Sequence, residues 1–135
     1  MFDEKERGFL ESHGVEAVIL FGSQARMTAG VMSDFDFGVL LSGPVFEPSS
    51  KERKKIYDAL YDLLSLKINQ LVNIDIVFLH DAPMELQSHV IKYGLPLYEK
   101  SIHSFPRFRE RVMDLYSDFA PLRRIFHEAI MSRIS

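Results

Sequence analysis

Two short stretches hold the residues whose types and spacing can do chemistry. Phe21-Gly22-Ser23-Gln24-Ala25-Arg26 follows an apolar run, and ten residues after the Gly22-Ser23 pair Asp34-Phe35-Asp36 opens a second one. If the first run is a strand, Gly22 and Ser23 form the turn into a short helix. Glycine allows close backbone approach there, and backbone N–H groups at a helix start attract phosphate. The Ser23 hydroxyl adds a donor, and Arg26 shares its helix face within reach of the same phosphate. If the second run is a strand, Asp34 and Asp36 point to one face, because strand side chains alternate. An anion cradle beside a carboxylate pair suits a nucleoside triphosphate with magnesium, which prefers oxygen ligands.

A third carboxylate, Asp75, lies inside another apolar run at 71–79. Phosphoryl and nucleotidyl transfer depend mostly on positioning and charge neutralisation. Two divalent ions about 3.5–4 Å apart can clamp the attacking and leaving oxygens. Asp34 and Asp36 are placed to bind both ions. Asp75 can approach the ion that activates the attacking hydroxyl, provided the third strand neighbours the second. An unpaired carboxylate between Ile74 and Ile76 is expensive in an apolar strand, so Asp75 requires a metal or strong hydrogen bonds.

The surrounding elements must hold these groups. Residues 2–13 read as an amphipathic helix burying Phe2, Phe9 and Leu10, stopped at His13-Gly14. Residues 15–21 are a central strand. A short helix spans 23–29, with Gly30 as its C-terminal residue. The strand at 35–41 puts Phe35, Phe37, Val39 and Leu41 on the core face, leaving Gly38 and Leu40 beside Asp36. After a loop at 42–50, Ser49 or Ser50 caps a helix over 51–69. Ile56, Ala59, Leu60, Leu63 and Leu64 form its apolar face. Lys51, Arg53, Lys54 and Lys55 lie at its exposed start, where cations oppose the helix dipole. Asp81 caps a helix over 83–92, with Pro83 in its first turn, and Gly94 ends it. Residues 95–98 return to a sheet edge, where Pro96 is tolerated. Two apolar stripes follow: Phe105, Phe108, Val112, Leu115, Phe119, then Leu122, Ile125, Phe126, Ala129, Ile130. Pro121 predicts a break near 118–120. The fold class is α/β of the α+β type, a small mixed sheet packed with helices. One domain spans 1–135, with a catalytic core at 1–100 and a C-terminal helical extension at 101–135.

Composition narrows the function classes. The 135 residues suit one domain with a real core, and 47% hydrophobic with 26% charged residues is ordinary for a soluble protein. No window approaches the roughly 18 apolar residues of a membrane helix. The polar, acidic first seven residues are unlike a signal peptide. Without cysteine there is no disulfide, thiolate metal site or Cys nucleophile, and a cytoplasmic location fits. The net charge of −3 argues against nucleic-acid binding by bulk electrostatics. Residues 1–100 hold 10 Lys/Arg against 15 Asp/Glu, whereas 101–135 hold 6 against 4. That mildly basic tail can meet an acidic partner or simply be a solvated face. The five histidines show no metal-ligand spacing and carry no assigned role.

The joint pattern resembles the nucleotidyltransferase superfamily with the DNA polymerase β fold, whose signature is Gly-Ser, ten residues, then Asp-x-Asp. Gly22-Ser23 and Asp34-x-Asp36 have that spacing, and Asp75 matches the third carboxylate on a later strand. The small size is similar to the minimal nucleotidyltransferases, often called MNT or MntA proteins. Gly94-Leu95-Pro96-Leu97-Tyr98-Glu99 and Tyr116-Ser117-Asp118-Phe119-Ala120-Pro121 look like the ending of MntA antitoxins, so the resemblance covers nearly the whole chain. It implies the nucleotidyltransferase fold, with ATP as substrate and two magnesium ions as cofactor. It also implies transfer of AMP to a tyrosine of a HEPN ribonuclease toxin, HepT, which silences the toxin. Asp34, Asp36 and Asp75 would then be the catalytic metal ligands, and Gly22, Ser23 and Arg26 the nucleotide-binding residues. The toxins' own motif, Arg and His separated by four to six residues, is lacking in the tail: Arg123 and His127 have three between them. Met27 stands where the family often has glycine. Two other readings remain open: an antitoxin acting by contact alone through the helices at 105–134, or small-molecule nucleotidylation as in aminoglycoside resistance enzymes. Those enzymes carry a second helical domain for which this chain has little room. On spacing alone the C-terminal stripes serve a core, self-association or a partner.

Overall fold

In the computed structural model, residues 2–25, 34–42, 50–68, 73–118, 124–125, 128–129 and 131–132 are described. The first helix, α1 (Glu4–Ser12), starts at Asp3. The Asp3 carboxylate accepts the Glu6 N–H at 2.8 Å while the Glu6 carboxylate accepts the Asp3 N–H at 3.0 Å, which satisfies two otherwise orphaned donors. Beyond it come β1 (Val15–Phe21), α2 (Gly22–Ala25), β2 (Phe35–Leu41), α3 (Lys51–Ile68) and β3 (Ile74–Phe78). A 3-10 turn (Leu79–Asp81), α4 (Met84–Tyr93), β4 (Leu95–Glu99) and α5 (Ser104–Asp118) complete the order.

The sheet order is β3-β2-β1-β4. β1 runs antiparallel to β2 and β4, and β2 runs parallel to β3. A parallel neighbour needs a crossover, and α3 supplies it. Both faces of the central strands are covered, so β1 and β2 read as nearly unbroken apolar runs. On one face Leu10, Phe37, Val39, Ile56, Leu60 and Leu64 pack together. On the other, Ala17, Ile19, Phe21 and Leu40 meet Val90 from α4 and Phe105, Phe108 and Val112 from α5. The face that the sequence left to Gly38 and Leu40 is thus a second core.

β1 and β2 fall where the apolar runs predict them, whereas the run expected as a strand over 71–79 yields β3 only from Ile74, with Leu79 already in the 3-10 turn; Ser50 caps α3 by accepting the Arg53 N–H at 3.2 Å. Gly94 ends α4 for a packing reason: a Cβ there would lie 2.6 Å from Ile19 Cγ2. Pro96 sits in β4, at a sheet edge. Four expectations need correction. Phe9 is 36% exposed, because α1 buries only a narrow stripe; its ring meets His13 tilted, 4.2 Å between centroids. Arg53 is only 4% exposed, lying 4.3 Å over the Phe78 ring and ion-paired with Asp81. The paired carboxylate and the aromatic face make its burial tolerable. Asp81 is therefore not the cap of α4, whose N-cap is Pro83 without a side-chain hydrogen bond. Leu115 is 38% exposed; beyond Val112 the stripe of α5 runs past the sheet. Gly30, Ser49, Phe119, Pro121 and the break at 119–120 lie outside the described residues. In the second stripe so do Leu122, Phe126 and Ile130, while Ile125 and Ala129 are exposed.

Glu16 ties α5 to the sheet. Its carboxylate accepts the Ser104 hydroxyl at 2.7 Å and the Ser42 hydroxyl at 2.6 Å. Those two bonds hold its pKa below the ordinary carboxylate value. A depressed folded-state pKa adds stability above the unfolded value, and that stability is lost as pH falls through the folded value. Glu16→Gln is therefore expected to melt below wild type at neutral pH. The gap should close as pH falls from about 5 to about 3. Thermal melts across that range check it; a constant gap contradicts the assignment.

Candidate active site

β1 ends at Phe21, and the chain turns at Gly22 with φ 75, a region that L side chains avoid. Phe21 is the register partner of Asp36, and Asp36 is the register partner of Asp75. Paired positions on neighbouring strands share a face. Phe21, Asp36 and Asp75 therefore form a row across three strands, on the side covered by α4 and α5. Gly22 presses against this row: a Cβ built on it would run into Asp36 Oδ2. The backbone that opens α2 thus touches the central carboxylate, and only glycine leaves room for both.

Asp34 and Asp75 are exposed and Asp36 is half-buried. Burial raises the Asp36 pKa, and the Asp75 and Asp34 charges raise it further, with a hydrogen bond to Asp75 acting in the same direction. The cluster repels itself when fully ionised. A divalent cation reverses that logic by favouring the charged forms. Three carboxylates, all oxygen donors and two of them open to solvent, fit magnesium, which keeps waters and substrate phosphates among its ligands. Among the described residues no group of three or more acidic or histidine side chains is arranged so that it could hold a metal ion, so the match to magnesium lies in the chemistry of the donors.

The neighbouring third strand that the chemistry required is present. The role assigned to burial moves, however. Asp75 stands exposed on the edge strand, so the cost of an enclosed carboxylate falls on Asp36, which has neighbours on both sides. The Ser23 backbone lies in α2 directly after Gly22, while Arg26 and Met27 lie outside the described residues. A cleft of about 600 Å³ lies elsewhere among the described residues, lined by Arg53, Tyr57, Ile76, Phe78 and Asp81 among others. Ile76 and Phe78 alternate with Asp75, so their side chains point to the other face.

His89 was given no role from spacing, yet it stands beside the site. Its charge acts on Asp36, in the direction opposite to the carboxylates. Its ring meets Phe21 edge-on at 6.4 Å and Tyr93 at 5.0 Å. The readable signal was His89 and Tyr93 four apart on one helix face; it gains meaning only once α4 lies over β1.

The family model described as "Polymerase beta, Nucleotidyltransferase" matches residues 4–103. No curated protein sequence matches the chain. Several solved structures resemble it over nearly full length. One is a toxin–antitoxin crystal structure with AMP-PNP, at 20% identity, TM-score 0.69, covering 96% of this chain and 99% of that one. Another is a variant of an MntA–HepT toxin–antitoxin pair with two aspartates, two positions apart, replaced by glutamate: 18% identity, TM-score 0.67, 97% and 99%. A third is a tri-AMPylated HEPN toxin of Shewanella oneidensis in complex with its MNT antitoxin, at 19% identity, TM-score 0.63, 94% and 93%. At these identities the likeness is one of fold.

Proposed function

We propose, on the premise that this chain belongs to the polymerase beta nucleotidyltransferase family, that it transfers AMP from ATP to a tyrosine hydroxyl of a partner HEPN toxin and so acts as an antitoxin. The acceptor oxygen bonds to the α-phosphorus, the bond to the β-phosphate bridging oxygen breaks, and pyrophosphate leaves. The hydroxyl proton passes to a carboxylate or to water. Asp34, Asp36 and Asp75 are the residues that would hold magnesium. When bound, it neutralises triphosphate charge and favours ionisation of the acceptor hydroxyl. Backbone N–H groups at Gly22 and Ser23, the Ser23 hydroxyl and Arg26 hold the triphosphate. Asp75, exposed on the edge strand, faces the acceptor side.

The observation that carries this reading is the register pair Asp36–Asp75 pressed against the Gly22 backbone. The contact of the Gly22 backbone with Asp36 supports a phosphate turn beside the carboxylates. The acceptor class is supported by neighbours described with AMP-PNP and with an AMPylated HEPN toxin. The α5 surface supplies partner contacts, since Met113, Leu115 and Tyr116 are exposed there. On this reading residues 1–100 are the catalytic core and 101–135 an extension that meets the toxin. No helix among the described residues is long and apolar enough to cross a membrane, and the reaction fits the cytoplasm, where ATP is abundant.

The test is an intact-mass measurement. Incubated with ATP, magnesium and the toxin encoded beside it, the protein is expected to raise the toxin's mass by one or more AMP units. A chelator added first should prevent the gain. An unmodified, ribonuclease-competent toxin overturns the proposal.

A further inference from the structure

Among the described residues, β3 is an edge strand held in the sheet by β2 alone. Its position along β2 decides where Asp75 stands, because the ladder sets Asp75 opposite Asp36. The apolar pattern settles only half of that choice. Ile74, Ile76 and Phe78 pack with Phe37, Ile56 and Leu60 on the α3 side, so a slip of one position would turn them to the other face. A slip of two keeps every side chain on its own face. It would nonetheless carry Asp75 about 7 Å along β2, out of the carboxylate row.

Selecting among the even registers takes a contact with one permitted partner, and the end of β3 supplies it. Arg53, near the start of α3, is buried. Its guanidinium lies over the ring of Phe78, the last residue of β3, and pairs with Asp81, three residues further on. The Arg53 N–H is bonded to the Ser50 hydroxyl, so the start of the helix is pinned as well. A slip of two would draw Asp81 away and leave a buried guanidinium without that carboxylate, which is strongly destabilising. On the opposite face Leu79, fully buried, seats over Gly38, where an added Cβ would lie 2.8 Å from Leu79 Cδ1. The turn after β3 is thus tied to β2 by Leu79 and to α3 by Arg53.

We infer that Arg53 is a positioning residue: through its pair with Asp81 it fixes the register of β3 and so sets Asp75 opposite Asp36. The register claim stands on the geometry, and its consequence for catalysis rests on the nucleotidyl-transfer reading above. A buried ion pair used in this way contributes uniqueness of arrangement rather than stability. It also gives a cation at a helix start, which the dipole disfavours, a reason to be there.

Cross-linking and kinetics on the full chain test it. The chain has no cysteine, so Asp36→Cys with Asp75→Cys places two thiols at register partners, and a short bifunctional thiol reagent should join them. Adding Arg53→Met and Asp81→Leu removes the ion pair and keeps apolar volume, a replacement that often leaves stability unchanged or higher. Thermal melts report folding. In that background the 36–75 cross-link is expected to fall severalfold, while thiols placed instead at 36 and 73, or at 36 and 77, gain. With Asp36 and Asp75 restored, the Arg53→Met, Asp81→Leu protein should transfer AMP about tenfold or more slowly, with the KM for ATP unchanged. Should it fail to fold, Arg53→Gln with Asp81→Asn removes the charges and keeps a polar pair for the same comparison. An undiminished 36–75 cross-link overturns the inference, whatever happens to transfer. So does its loss without a gain at 73 or 77, which would make the pair a general fastener of the strand. A shifted cross-link with unchanged transfer upholds the register role and removes Asp75 from the reaction. If wild type transfers no AMP, the transfer reading falls and the cross-links still decide the register.

Discussion

Asp36→Asn is expected to reduce AMP transfer by about a thousandfold or more while the protein stays folded. Asp36 is the only member of the carboxylate row flanked on both sides, by Phe21 on β1 and Asp75 on β3. It is also the most enclosed of the three, and burial together with the Asp75 and Asp34 charges pushes its pKa up. In the free protein its ionised form is thus a liability, and an amide of the same shape relieves the repulsion. The variant should melt at or above the wild-type temperature in magnesium-free buffer. Added magnesium should then stabilise wild type, because a ligand that binds only the folded state raises its apparent stability, and should leave the variant unmoved. Two readouts therefore separate a ligand role from a structural one. Unchanged transfer by a folded variant removes Asp36 from the site.

Gly22→Ala should damage stability and transfer together. The residue sits at φ 75, where a side chain costs about 1–3 kcal/mol, and the new methyl group would overlap the Asp36 carboxylate. Either the turn opens or Asp36 moves, and both separate the phosphate cradle from the carboxylates. A fall in melting temperature of several degrees is expected, at roughly 2–8 °C per kcal/mol for a domain near this size. Transfer should drop by about a hundredfold, in keeping with displacement of a reacting group by an ångström. Gly8→Ala is the control. It lies on α1 with nothing within 4 Å of an added Cβ, and replacing a helical glycine by alanine stabilises by about 0.5–1 kcal/mol. Similar melting shifts for both variants would argue that Gly22 has no special contact.

Much of the scaffold was legible because local signals and tertiary packing agree. Val15–Phe21 and Phe35–Leu41 are apolar runs bounded by turn residues, and they are strands of those limits. The Asp-x-Asp spacing predicted two carboxylates on one face; Asp36 takes its place in β2, while Asp34 precedes the strand. What spacing could not supply was register. That Asp36 pairs with Asp75, rather than with a neighbour two positions away, is set by how α3 docks. The same limit explains Arg53. A basic cluster at a helix start reads as solvated until β3 and the turn after it bring Phe78 and Asp81 beneath one of its members. Asp75 shows the converse error, since an apolar run suggested enclosure and the strand lies at an edge. His89 was invisible because its meaning depends on α4 crossing the end of β1.

The parallel pairing of β2 with β3 has a consequence for how the protein comes into being. Asp36 belongs to, and Gly22 and Asp34 directly border, an antiparallel pair whose strands adjoin in sequence, and such contacts form early. Asp75 joins only after the chain has looped out and back through α3, a non-local closure that is slow in folding. During synthesis, chains emerge N-terminus first and elements fold as they become available. A nascent chain released as far as β2 carries the phosphate turn and two carboxylates, yet no third one. On the proposed reading, catalytic competence would arrive late and all at once, with the docking of an edge strand, and an early-terminated product would be inert rather than partly active.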